Sequence, residues 1–252
     1  MRLAIVSDIH GNLTAFEAVI ADLREVSPDL ILHGGDLAAG GARPAEIVDR
    51  IRGLGWQGVL GNTDEMLYRP ESLTEFAARS PHLKPLFRMI EDQAAFTREA
   101  LGDERIAWLR SLPVLQSAGS VALVHASPAS TWLAPGAKAT DAELESTYEP
   151  LASPIAVYAH IHHPYVRRVR NRTVANTGSV SLSYDGDWRA SYLLIEDEVP
   201  IIRRVEYDLD EEAKALAASA MQHTRKDGGK ELREPVLSLC MCHSPLLSDY
   251  LF

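Results

Sequence analysis

Thiols are almost missing from this chain: its 252 residues hold two cysteines, Cys240 and Cys242, both near the C-terminal end. Two cysteines cannot build a disulfide framework, and their distance from every polar cluster leaves them as unpaired thiols rather than as metal ligands. Long apolar runs are missing too, since none approaches the roughly 20 residues of a membrane-spanning helix. The first apolar run begins directly after Met1-Arg2, which leaves no room for a signal peptide before the first polar turn, so a cytoplasmic location is expected. Positive charge is in deficit. The 25 Lys and Arg against 35 Asp and Glu leave a formal net charge of -10, a field that repels polyanions and argues against non-specific binding to nucleic acid or anionic membrane. A small anionic ligand is not excluded, because ions bound in a site override the global balance locally. There is no internal repeat or low-complexity tract. With 46% hydrophobic and 24% charged residues, the length suits one large α/β domain with a substantial core.

The chain is organised around Ser7 to Asn12, reading SDIHGN, which places Asp8 and His10 two residues apart at the end of the aliphatic run Leu3 to Val6. A run without polar interruption suits a strand buried on both faces of a layered sheet, and Gly11-Asn12 ends it. The same pattern of apolar run and polar cluster recurs in LILHGGD (30–36), VLGNTD (59–64), VALVH (121–125) and IAVYAHIHH (155–163). Open α/β sheets bind ligands at the carboxyl ends of their strands, where these five clusters would converge.

Between the clusters, Thr14 with Glu17 reads as a capping box for a helix carrying Phe16, Val19, Ile20 and Leu23, ending before Pro28. Pro44 suits the first turn of the next helix, with Ile47, Val48 and Ile51 on its buried face. Residues 65–112 read as a mostly helical insertion with breaks near Pro70, Pro81, Pro85 and Gly102. Two readings of it stand side by side: a cover over the site that sets substrate size, or a plain packing layer built from Phe87, Ile90, Phe96, Trp108 and Leu109. Thr140 with Glu143 caps a further helix. Tyr165 to Arg170, Arg172 to Asn176, Ser191 to Ile195 and Ile201 to Tyr207 read as antiparallel hairpins that form a second, closing sheet. Asp210 to Gln222 is a helix. The expected organisation is a single domain over 1–222, then a polar, Gly-Gly-containing linker and an apolar tail over 223–252. Leu246, Leu247, Tyr250, Leu251 and Phe252 would dock that tail on the body or on another subunit, or it is a disordered end.

The clusters supply Asp8, His10, Asp36, Asn62, His125, His160 and His162, a set of oxygen and imidazole ligands that suits Mn, Fe, Zn or Ni. In the turn Ala159 to Pro164, residues two apart point to the same side while Ile161 points away. A single buried neutral histidine would be an ordinary core residue. Four at strand ends, beside two Asp and an Asn, argue for metal.

These motifs, in this order, resemble the calcineurin-like metallophosphoesterase superfamily, whose pattern is D-x-H, G-D, G-N-H-D/E, a lone His, and G-H-x-H. Here they stand as SDIHGN, GGDLAAGG, GNTDE, VHASP, AHIHHP and NTGSVS between Arg2 and about Ser183. The compact length and the GNxD form are similar to its small bacterial and archaeal phosphodiesterase branch. The resemblance implies a four-layer α-β-β-α sandwich of two mixed sheets. It also implies one divalent ion on Asp8, His10, Asp36 and His162, and a second on Asp36, Asn62, His125 and His160, bridged by Asp36. The implied enzyme is a phosphoester hydrolase in which a hydroxide shared by two ions attacks phosphorus in line, acting on a small phosphorylated substrate, foremost a phosphodiester. A phosphomonoesterase acting on phosphoproteins or nucleotides is the alternative. A non-enzymatic protein-binding scaffold is the alternative of another class, since the retromer scaffold subunit uses the same fold.

Two positions depart from the pattern. Ala159 precedes His160 where the family usually has Gly, and Thr63 stands in the slot of the His that in many members assists the leaving group. A threonine hydroxyl cannot usefully protonate an alkoxide at neutral pH, so His33 and His163 are the candidate proton donors. Asn62 and Asn12 are the candidate substrate contacts, Gly178 and Ser179 are expected to shape a turn near the site, and Arg167, Arg168, Arg170 and Arg172 read as a solvated strand face or as a guide for an anion.

Overall fold

The computed structural model describes residues 1–219 and the two strands Gln222–Asp227 and Lys230–Pro235. The elements are β1 (Arg2–Val6), α1 (Leu13–Val26), β2 (Leu30–His33), α2 (Pro44–Leu54), β3 (Gln57–Gly58), α3 (Asn62–Tyr68), α4 (Glu71–Ala77), α5 (Lys84–Arg110), β4 (Leu115–Ala118), β5 (Val121–Val124), α6 (Asp141–Tyr148), β6 (Ile155–Tyr158), β7 (Tyr165–Val169), β8 (Arg172–Asn176), β9 (Ala190–Glu196), β10 (Val199–Val205), α7 (Leu209–Ala218), β11 (Gln222–Asp227) and β12 (Lys230–Pro235).

Two five-stranded mixed sheets carry the architecture, ordered β10-β9-β1-β2-β3 and β4-β5-β6-β8-β7. In the first, β1, β2 and β3 are parallel and β9 runs antiparallel to β1; in the second, β5, β6 and β8 are parallel and the edge strands antiparallel. The period-two alternation of a strand explains why the central ones are apolar throughout. Leu3 and Ile5 of β1 point between the sheets, where they meet Leu32, Leu193, Leu123 and Val157. Ala4 and Val6 point the other way, to Phe16 and Val19 of α1 and Ile47 and Ile51 of α2. Behind the second sheet, Ala156, Tyr158 and Val174 pack on Leu144 and Tyr148 of α6. The layers are therefore helix, sheet, sheet, helix.

Several local expectations hold and several are displaced. Pro44 opens α2, and Thr140 with Glu143 forms the capping box of α6. Pro85 does not break α5 but sits in its first turn, where its missing N–H costs nothing. Gly102, with φ 65°, does interrupt that helix. The cap of α1 is Asn12 rather than Thr14, because the Asn12 side chain, two residues earlier, reaches Ala15 N at 2.9 Å. The late hairpins do not build a sheet of their own. β7 and β8 extend the second sheet, whereas β9 inserts beside β1 in the first, turning back into β10 through Asp197 and Glu198, both at positive φ as a tight primed turn demands. The stretch expected to be a linker instead pairs as the β11–β12 hairpin. Cys240, Cys242 and the apolar tail lie outside the described residues. No helix among the described residues is long and apolar enough to cross a membrane.

Candidate metal centre

Every candidate ligand follows a parallel strand, so the layered topology gathers them at one end of the sandwich. Asp8 and His10 follow β1, Asp36 follows β2, Asn62 follows β3, His125 follows β5, and His160 and His162 follow β6. All seven are buried. Two compact groups result, Asp8 with His10 and His162, and Asp36 with His125 and His160; within each, one ligand atom per residue lies within 4.8 Å of the others. Asp36 looks both ways, with Oδ1 3.5 Å from His125 Nε2 and Oδ2 3.8 Å from His10 Nε2.

The hydrogen bonds behind the ligands fix how the imidazoles face. Nδ1 of His10, His125 and His162 each lies 2.7 Å from a carbonyl oxygen, of Ala39, Gly34 and Leu182 respectively. A carbonyl only accepts, so each Nδ1 is the protonated nitrogen and in the neutral ring each Nε2 presents a lone pair. His10 Nε2 and His162 Nε2 then face each other at 3.3 Å, with Asp8 Oδ1 3.3 Å from the latter. Two lone pairs and a buried carboxylate oxygen aimed at one point repel unless a cation lies between them. The residues present thus fit a divalent ion, and such backing of imidazole ligands by carbonyls is how metal sites hold their histidines.

Electrostatics agree with the geometry. Burial alone would raise the Asp8 carboxyl, but His162, with help from His125 and His10, holds it down at about 2. Burial lowers His10 and, more strongly, His160, which keeps both neutral as ligands must be. Burial also presses on His125, yet the Asp36 and Asp8 carboxylates outweigh it and raise its pKa.

The backbone is contorted to achieve this. Five of the candidate ligands have left-handed φ: Asp8 (53°), His10 (48°), Asp36 (54°), His160 (69°) and His162 (55°). Such conformations are rare outside glycine and cluster where function requires them. Close backbone approach does the rest: a Cβ on Gly61 would lie 2.1 Å from Asp36 Oδ1, and one on Gly41 2.2 Å from the His10 carbonyl oxygen. The turn expected at Gly178-Ser179 is present. Ser179 Oγ donates to the Asp8 carbonyl at 2.8 Å and accepts from Leu182 N at 2.8 Å, and Leu182 in turn holds His162.

Other expected site residues lie elsewhere. Asn12 is committed to its helix cap and to Ser181 Oγ, and it does not line the cavity over the ligands. Neither His33 nor His163 lines that cavity. His33 packs near Trp108, its ring nitrogens without hydrogen bonds, and burial depresses it to about 3. The arginine run binds backbone carbonyls, Arg167 to Ala139 and Arg172 to Tyr148, and none of the four lines the cavity. Thr63 does line it, with a buried hydroxyl that makes no hydrogen bond.

Sequence reasoning casts Asp64 as the residue to orient an imidazole placed at position 63 and passes over Tyr184; the structure gives both other parts. Asp64 accepts from the backbone N–H of Asp36 (2.8 Å), Leu37 (3.0 Å) and Gly61 (3.3 Å), tying two ligand loops together. Burial and the neighbouring Asp36 raise its pKa to about 7. Tyr184 stacks on His162, 4.8 Å between ring centroids, and lines the cavity. The acidic residue of GNTDE is a visible signal for the first; nothing marks the second.

The calcineurin-like phosphoesterase superfamily domain matches residues 1–198. An uncharacterized protein of Methanocaldococcus jannaschii is 27% identical over 82% of this chain and 88% of its own length. A symmetrical bis(5'-nucleosyl)-tetraphosphatase of Methylococcus capsulatus is 30% identical over 58% of this chain, which spans only 50% of that protein. Among solved structures, a metallophosphoesterase from Sphaerobacter thermophilus superposes with a TM-score of 0.68 at 26% identity, covering 86% of this chain and 93% of that one.

Proposed function

The chain belongs to the calcineurin-like phosphoesterase superfamily, and on that footing we propose that it is a phosphodiesterase working with two divalent ions. Asp8, His10 and His162 with Asp36 hold one, and Asp36, Asn62, His125 and His160 hold the other. The observation that carries the reading is the 3.3 Å approach of His10 Nε2 and His162 Nε2, both turned inward by carbonyls behind them. When bound, such a pair of ions acidifies a water and offsets charge building on the phosphoryl oxygens. The protein's own part is to aim these buried side chains and to exclude bulk water with the wall above them. Protein stripped of metal and reloaded with Mn is expected to hold about two ions per chain and to cleave an aryl phosphodiester faster than its monoester, only when loaded. At most one ion per chain, with no metal-dependent cleavage, would overturn the proposal.

Thr63 bears on which esters react. Apart from the ligands and Tyr184, the described residues lining the cavity include no titratable side chain, so a basic leaving group finds little help. The expected result is a steep fall of kcat/KM as the leaving-group pKa rises along a diester series, flattened in Thr63→His at matched metal content. Asp64, occupied by three backbone N–H groups, would not orient the new imidazole, so the flattening rests on its placement beside Asn62 alone. A shallow wild-type slope that steepens in Tyr184→Phe would instead assign the proton to Tyr184.

A further inference from the structure

Above its floor, the cavity over the ligands has a mainly apolar lining. Opposite His10, Asp36, Asn62 and His160, its wall is made by Leu73, Phe76, Leu86, Phe87 and Ile90 of α4 and α5, with Leu216 of α7. Thr63, Gln93, Trp132 and Tyr184 are the polar side chains added to the ligands, and among the described residues no Lys or Arg lines it. Arg69 and Arg79 line a neighbouring cavity of about 510 Å³, which His125 also borders. The two cavities share Phe76 and Trp132, whose rings lie 5.1 Å apart and form the partition. Arg69 is moreover engaged by Glu65 and Glu75.

Volume and charge together narrow the substrate. The cavity over the ligands measures about 170 Å³, against the roughly 150 Å³ that suffices to enclose benzene in an apolar protein interior. The cavity is open on one side, so a nucleoside, far larger than one ring, would lie mostly outside the apolar wall. A polyphosphate chain would also set several negative charges against aliphatic and aromatic walls, where no cation or donor fork offsets the loss of water.

Building on the phosphoesterase reading above, we infer that the substrate is a small organic phosphoester whose ester group is a single aromatic ring or a short branched alkyl chain, and that nucleoside polyphosphates are poor substrates. Leu73, Phe76, Leu86, Phe87 and Ile90 set this specificity by burying the ester group while the phosphoryl group faces the ligands.

The test uses the full chain loaded with Mn and has a binding arm and a turnover arm. Calorimetry with non-hydrolysed phosphonates should show phenylphosphonate binding about 30-fold more tightly than methylphosphonate, the factor expected for burying a ring. Leu86→Arg, at a half-buried wall position, should cut that preference to a few-fold, and Leu86→Ala, the milder change, should lower it less. In the turnover arm, kcat/KM for a methyl phenyl diester should exceed that for diadenosine tetraphosphate by on the order of 100-fold, and Leu86→Arg should narrow the gap. Equal binding of the two phosphonates, or a tetraphosphate cleaved as well as the phenyl ester, would overturn the inference and leave the two-metal phosphoesterase standing. Absence of metal binding and of all ester cleavage would overturn that parent reading, while the phosphonate ratio would still decide whether the wall selects a ring.

Discussion

Asp36→Asn is expected to lower kcat/KM for an aryl diester on the order of 1,000-fold or more, and to weaken both metal sites together. The reason is the position of this one carboxylate, with Oδ1 toward His125 of one group and Oδ2 toward His10 of the other. Asparagine keeps the shape and can still accept the 2.9 Å bond from Thr63 N, and the Asp36 N–H to Asp64 is backbone and unaffected. The fold should therefore survive, and circular dichroism should match the wild type. What is lost, on the two-metal reading, is one negative charge between two dications. Elemental analysis after loading with a small excess of Mn and removal of the free ion is the decisive companion measurement: an unchanged content of two ions per chain, with wild-type turnover, would remove Asp36 from its bridging role.

The second large effect separates two neighbours. His160 and His162 are two residues apart on one turn, yet His162 belongs with Asp8 and His10 and His160 with Asp36 and His125. His160→Ala and His162→Ala should each lose roughly one ion per chain and on the order of 100- to 1,000-fold in turnover. On the two-metal reading the two ions act as a unit, so the double variant should be little worse than either single one. Strict additivity of the two losses would argue that the ions act separately, and wild-type rates in both variants would show that the turn does not carry ligands at all. The His162 variant also loses the stacking partner of Tyr184 and frees the Leu182 carbonyl, so its thermal midpoint should fall further than that of the His160 variant.

Much of the fold and of the candidate site is legible in the order of residues alone, for a specific reason. Buried parallel strands must be apolar along their length, so the polar cluster ending each one stands out, and five such endings supply all seven candidate ligands and the layered fold. Helix boundaries set by local chemistry are equally readable, as at Pro44 or Thr140. The failures are those that need distance. That β9 pairs with β1 rather than with the preceding hairpin is a fact about residues some 190 positions apart, and β4 is a short, half-exposed edge strand with little pattern to find. Asn12 reads as a free amide beside the ligands, but the nearest unsatisfied helix N–H claims it. The insertion reads equally as cover or as packing because apolar residues serve both. Leu73 and Phe87 belong to the core beside α1 and α2 and also line the cavity over the ligands. Which side of a helix confronts the site depends on how α4 and α5 are set down, and local spacing does not carry that.

The left-handed backbone at Asp8, His10, Asp36, His160 and His162 reaches beyond the reaction. Each such residue costs about 1 kcal/mol or more, against a net stability of only about 5–15 kcal/mol for a typical domain. Bound ions would return that energy by mass action, since whatever binds only the folded state stabilises it. On the two-metal reading, supply of divalent ions in the surrounding fluid therefore acts on the abundance of this protein as well as on its rate. A chain made under metal starvation spends more of its life open to proteases, and the population thins before catalysis is ever tested.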